Sequence, residues 1–206
     1  MLKHFSGGII AGILISIGGT VFLSCENKTA GAVFFAVALL CICMLGYNLF
    51  TGKICYIPEK HDKEAFSQLL LGLLGNLIGT TVCGYGIRYA IPTVGEAALK
   101  ACETRLTAQI FPQTLIRAVF CGILIYLAVE IYKKHKSIAG IVFCIPVFIL
   151  SGFEHSIADM FYFAASGIVS LKACGFIWTV ILGNTLGGML IPVLAMIGKG
   201  AQKNAE

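Results

Sequence analysis

Residues 5–25 of this chain contain no Lys, Arg, Asp, Glu or His. A stretch of that length and polarity is unsuited to a water-facing surface and matches a helix crossing a hydrocarbon core, which needs about 20 apolar residues. The pattern recurs over residues 29–52, 65–87 and 173–198, and over 110–132 with Arg117 near the start and Glu130 near the end. A longer apolar run, 137–171, is interrupted by Glu154, His155 and Asp159. Soluble domains carry about a quarter charged residues, whereas here 12% are charged and 58% hydrophobic. The expected product is one membrane-embedded domain over residues 1–206, with six spans. The N-terminal run is too long for a signal-peptide core and reads as a retained first span.

The basic residues fall between the apolar runs rather than in a nucleic-acid-binding stripe, so the net charge of +5 reads as topology information. Placing both termini in the cytoplasm puts nine of them inside and five outside, with Arg117 within the fourth run. The cluster Lys133-Lys134-His135-Lys136 is the strongest vote for that orientation. A cell inner (plasma) membrane location goes with this reading, with the lipid bilayer as a partner and no nucleic acid.

Most of the nine cysteines, Cys41, Cys43, Cys83, Cys121 and Cys144 among them, lie inside apolar runs, where a thiol acts as a small hydrophobe. No paired CxxC knuckles occur, so no metal is expected. A bridge among Cys25, Cys102 and Cys174 stays open. No cofactor is expected either, because His155 is the one histidine within the spans and a haem usually takes two axial ligands.

Two polar breaks interrupt this apolar background: Leu49-Phe50-Thr51-Gly52-Lys53 and Ser151-Gly152-Phe153-Glu154-His155-Ser156. Backbone that leaves a helix at membrane depth survives only where it is buried in protein or lines a wet cavity. The chain is also internally repeated. Gly75-Asn76-Leu77-Ile78-Gly79 resembles Gly183-Asn184-Thr185-Leu186-Gly187, and the asparagines come after Thr51 by 25 residues and after His155 by 29. Three spans per half would make the halves, about 5–92 and 108–200, an inverted pair whose breaks mark a translocation site. The glycines of these motifs also suit close helix packing.

Ionisable groups at such depth are costly and usually functional. His155 reads as a pore-lining donor, with loop-tying to backbone carbonyls as the competing role. A carboxylate facing an anion path would repel it, so Glu154 reads as a loop anchor. Two half-helices beginning just after Thr51 and just after His155 would aim their positive N-termini at one point and favour an anion there. Lys53 is placed either at the cytoplasmic mouth or snorkelling to headgroups.

The run Gly152-Phe153-Glu154-His155-Ser156-Ile157-Ala158-Asp159-Met160-Phe161 resembles the signature of the formate/nitrite transporter family. Leu49-Phe50-Thr51-Gly52, Gly8-Ile9-Ile10-Ala11-Gly12 and Gly183-Asn184-Thr185-Leu186-Gly187-Gly188 resemble other segments of it, so the likeness runs from about residue 5 to residue 197. The resemblance implies an all-α membrane protein of six transmembrane helices in two inverted three-helix repeats, with the second and fifth helices broken, aquaporin-like. It also implies a homopentamer with a pore in each subunit, passing small monovalent anions of weak acids such as formate, nitrite or hydrosulfide. By position, His155 matches the family's central histidine and Thr51 its hydroxyl partner. Phe50 and Phe153 match loop aromatics, while Phe35, Leu39 and Phe148 fall at the hydrophobic constriction. The chain departs from the family pattern with Asp159 where Asn is frequent, with Gly122 after Cys121, and with Arg105 near the place of a vestibule lysine.

A bare anion loses several kcal/mol of hydration on entering an apolar slit, so the neutral acid crosses more easily. A proton from His155 or from water would supply that form. An intramembrane enzyme is the alternative from another class, but no GxSxG elbow is present, and Ser151 and Ser156 sit too close in sequence to His155 to face it as nucleophiles. A purely structural membrane subunit leaves the paired breaks without a reason.

Overall fold

The computed structural model describes residues 1–203, with side chains to Lys199; residues 204–206 of the expected domain lie outside the described residues. It is all-helical, with no strand among the described residues. Helices α1 (Leu2–Ser24), α2 (Lys28–Leu45), α4 (Lys63–Ala90), α6 (Phe111–His135) and α9 (Leu171–Lys203) are the five long apolar ones. They correspond to five of the expected spans. The sixth is divided between α7 (Ala139–Leu150) and α8 (Ser156–Ser166). At 1.5 Å per residue, their 12 and 11 residues each cover about half of a ~30 Å hydrocarbon core.

The first break differs from its sequence reading. Helix α2 stops at Leu45, where Gly46 takes a left-handed φ of 75°, and helix resumes at Phe50. The interruption is therefore residues 46–49, ahead of Thr51, because the glycine that can adopt positive φ cheaply sits there. Beyond it come α3 (Phe50–Lys53), four residues long, and a 3-10 turn (Ile54–Tyr56). That is not a second half-helix, and so short a segment has little dipole to offer. The second break has the expected form. Ser151 ends the turn of α7, Gly152 takes φ 69°, and α8 begins directly after His155.

Helix α5 (Pro92–Ala108), outside the expected spans, lies between α4 and α6 in the chain and is begun by a proline at its first position. Its buried side, Val94, Ala98 and Cys102, packs on α8. Cys102 is unpaired, as are Cys25 and Cys174. At the start of α4, outside the spans, Asp62 accepts the Ala65 N–H, and that bond, with Lys60 nearby, holds its carboxyl below the usual carboxylate range.

Two close helix pairs form the frame: α1 with α4, and α6 with α9. Both are glycine crossings. A Cβ on Gly12 would sit 2.6 Å from the Asn76 carbonyl oxygen, and one on Gly122 would sit 2.5 Å from that of Asn184. Small residues let backbones approach where lipid offers no hydrophobic drive between helices. Side chains on the motif glycines would likewise meet the facing helix, α1 for Gly75 and Gly79 and α6 for Gly183 and Gly187, so the GNxxG motifs do pack helices closely. Helix α8 is buried along its whole length inside this frame. The perimeter is apolar and exposed, with Phe34, Val82 and Phe143 each more than half uncovered, as a lipid-facing surface requires.

Candidate functional site

Each break is held by one asparagine. The Asn76 amide donates to the Gly8 carbonyl (2.8 Å) and the Asn48 carbonyl (3.0 Å), and its Oδ1 accepts the Phe50 N–H (2.9 Å). In the other half the Asn184 amide donates to the carbonyls of Ala118 and Glu154 (both 2.9 Å), and its Oδ1 accepts the Ser156 N–H (2.8 Å). Each staple joins the neighbouring long helix, a carbonyl of the break and the first N–H of the helix after it. Interrupted backbone leaves groups that water cannot reach, and each asparagine satisfies two of them. The matched offsets after the breaks are visible in the sequence, but this role for the asparagines is not.

The staples bring the breaks together at His155. Its Nε2 lies 2.9 Å from Thr51 Oγ1, and its Nδ1 accepts the Ala158 N–H at 3.1 Å. An accepting Nδ1 carries no proton, so the ring hydrogen is on Nε2 and is donated to the Thr51 oxygen. The Thr51 O–H is then left to donate elsewhere. Both residues are buried. The Phe148 ring stacks on the imidazole with centroids 5.7 Å apart, and Phe35 meets Phe148 edge-on at 6.3 Å. Leu39 and Phe50 are buried nearby in the same core. Phe153 is only half-buried and stacks on Phe120 at 5.4 Å rather than on this cluster.

Two cavities approach this centre, one beside α5 and the second break and the other at the C-terminal end of α6. One, of about 90 Å³, is lined by Phe35, Phe148, His155, Glu154, Asp159 and Arg105, among others. The other, of about 240 Å³, is lined by Leu39, Leu49 and Gly52 at its depth and by Lys53, Lys133 and Lys136 toward its mouth. Lys53 thus faces a cavity. Lys133 also lies 3.6 Å from the centre of the Tyr56 ring, whose hydroxyl donates to Glu130 (2.7 Å).

Glu154 does not bond backbone N–H groups through its carboxylate. Arg105 Nε donates to one oxygen (2.9 Å) and Gln109 Nε2 to the other (2.6 Å). Arg105 also lies 3.4 Å from Asp159 Oδ1 and stacks 5.3 Å from the Tyr162 ring. Arg117, at the rim of this region, donates to the Gly152 carbonyl at 3.3 Å. The contact of α5 with Glu154 is hidden in the sequence because 49 residues separate Arg105 from its partner.

Helices of spanning length, an apolar perimeter and a polar centre between two cavities define a multi-pass membrane protein built for passage. The chain belongs to the formate/nitrite transporter family, whose sequence model matches residues 1–198. It is 29% identical to formate-nitrite transporter 2 of Toxoplasma gondii over 80% of this chain, spanning 40% of that relative's length. It is 30% identical to the nitrite transporter NirC of Salmonella typhimurium over 89% of this chain and 74% of that one. A solved structure titled as a pentameric formate channel with formate bound superposes with a TM-score of 0.76 at 24% identity, covering 95% of each chain.

Proposed function

We propose that this protein passes small monovalent anions of weak acids, formate, nitrite or hydrosulfide, through each subunit of a homopentamer in the plasma membrane. In this reading residues 1–206 form one domain of six crossings in two inverted halves, about 5–92 and 108–200, aquaporin-like in plan, with both termini cytoplasmic. The Arg105 cavity is then the outer vestibule and the lysine-lined cavity the inner one.

The observation that carries the proposal is the Thr51–His155 hydrogen bond, made between the two breaks and flanked by both cavities. It forms a donor chain, imidazole N–H to hydroxyl oxygen and hydroxyl O–H outward, which suits a single small anion. Phe35, Leu39 and Phe148 form the apolar slit on either side, and Phe50 and Phe153 shape the loops. A charge crossing such a slit sheds hydration it cannot regain, so the anion takes a proton on reaching it and crosses as the neutral acid. His155 aids that exchange by holding the anion through Thr51. Lys53, Lys133 and Lys136 raise the local anion concentration at the inner mouth. Glu154 anchors the second break through Arg105 and Gln109.

Transport, rather than catalysis, also fits the imidazole bonding. Both ring nitrogens are engaged, by Thr51 and by Ala158, so neither serves Ser151 or Ser156 as a base. Stopped-flow uptake by proteoliposomes, anion by anion, tests the reading. Saturable uptake of at least one of the three anions, faster than in protein-free vesicles, is expected; uptake of none would refute it.

A further inference from the structure

Two carboxylates share one guanidinium on the outer side of His155. Glu154 is 3% exposed and Asp159 1% exposed, and both face Arg105 Nε, at 2.9 and 3.4 Å. Glu154 is well served, since Gln109 holds its second oxygen. Asp159 is not. Its contact with Arg105 is long, and its buried Oδ2 has no hydrogen-bond partner among the described residues. With both groups ionised, this enclosed cluster would carry a net negative charge beside an anion's path. Like-charged carboxylates sharing a buried site do not both ionise.

Among the described residues, no other cation answers the excess. Arg117 donates to the Gly152 carbonyl, and Arg88 of α4 donates to the Ser166 carbonyl at the far end of α8. The remaining titratable groups around Asp159 are Cys102 of α5, Cys121 of α6, and Tyr162 and His155. None of these is a cation in the observed bonding. The buried residues of α1 include no ionisable side chain, and α9 meets this region through Asn184. His155 is also unavailable as a proton donor here, because its Nδ1 accepts from Ala158 and its one hydrogen is given to Thr51.

We infer that Glu154 and Asp159 hold one proton between them beside Arg105, and that Asp159 hands this proton to the anion in the outer cavity. The proton resides on Asp159 Oδ2, turning an orphan acceptor into a donor. On transfer the Oδ2–H bond breaks and its electron pair stays on the carboxylate. A lone pair of the anion forms the new O–H bond, or S–H for hydrosulfide. The neutral acid moves on through the slit, and the cluster, now negative, repels the next anion until a proton from outside water restores it. The delivery step rests on the transport reading; the shared proton does not.

Infrared spectroscopy of the full-length protein in proteoliposomes, without added anion, tests the shared proton directly. Wild type is expected to show the C=O stretch of a protonated carboxyl group at neutral pH, shifting in heavy water. Asp159→Asn and Glu154→Gln should each abolish it, because either leaves one carboxylate for one arginine. No such band in wild type, or a band surviving in either variant, overturns the sharing. For delivery, the probe is formate uptake against outer pH. Asp159→Asn should lower uptake about tenfold or more at alkaline outer pH, where free protons are scarce, and progressively less toward acid pH. A loss equal at every pH, or no loss, overturns the delivery step. Absence of uptake by wild type for every anion would remove the transport reading and delivery with it, while the infrared band still decides the shared proton.

Discussion

The two breaks share a backbone device and differ in everything attached to it. At each, an asparagine from a long helix later in the chain, Asn76 of α4 or Asn184 of α9, ties the broken backbone to a neighbouring helix through three hydrogen bonds. The residue whose carbonyl each asparagine holds is Asn48 in the first break and Glu154 in the second. Asn48 turns its amide to the backbone carbonyls of His4 and Gln68, so the first break is neutral and fixed by main chain. Glu154 turns its carboxylate to Arg105 and Gln109, so the second is ionic and fixed from α5 and its C-terminal end. The helix after the break also differs, at four residues in the first half and 11 in the second. Identical backbone needs can thus be met while the side-chain chemistry of two related sites diverges.

The largest effect should come from breaking the ionic side of this comparison. Arg105→Met leaves Glu154 and Asp159 buried without a cation and is expected to cost about 3–5 kcal/mol. Thermal unfolding of the detergent-solubilised protein should report it as a large drop in Tm. Adding Glu154→Gln should recover part of the loss, and a double variant no better than the single would refute the ion-pair account. The shared device comes next. Asn184→Ala and Asn76→Ala each strand buried backbone groups, at about 1–3 kcal/mol per group. The two should be similarly destabilising by the same assay. A marked asymmetry would mean that the ionic anchors carry the second break without its staple.

Gly12→Ala and Gly122→Ala push a methyl group into a facing carbonyl, at about 1–3 kcal/mol each, again in both halves alike. The smallest change in stability is expected for Thr51→Val, about 1 kcal/mol, since one hydrogen bond is lost and the shape is kept. Its functional effect should be larger, with formate or nitrite uptake in liposomes falling by about tenfold, the loss of a little over 1 kcal/mol at the binding step. Unchanged uptake would remove Thr51 from the pathway.

Much of the architecture is legible in the chain. The charge-free residues 5–25 and the runs like them announce long membrane helices, because lipid tolerates only helix or closed barrel and the run lengths match the former. The signature around His155 is legible too, since polar residues stand out against an apolar background. The first break lies three residues earlier than the polar residues Thr51 and Lys53 suggest, because Gly46 is the residue whose positive φ ends α2. Helix α5 escapes the span pattern because its 17 residues are more polar than those of the long apolar helices. A proline at its first position is the available signal.

The sequence by itself determined what is governed by local chemistry: which segments are long and apolar enough to cross a membrane, roughly where they are interrupted, and the family to which the chain belongs. Tertiary structure decided the partners. Thr51 reaches His155 across 104 residues of chain, Asn184 reaches Ala118 across 66, and Arg105 reaches both Glu154 and Asp159. Composition fixes how costly a polar group is at a given depth. Only the crossing of helices at bare glycines, close enough for an asparagine to span, fixes which other group relieves that cost.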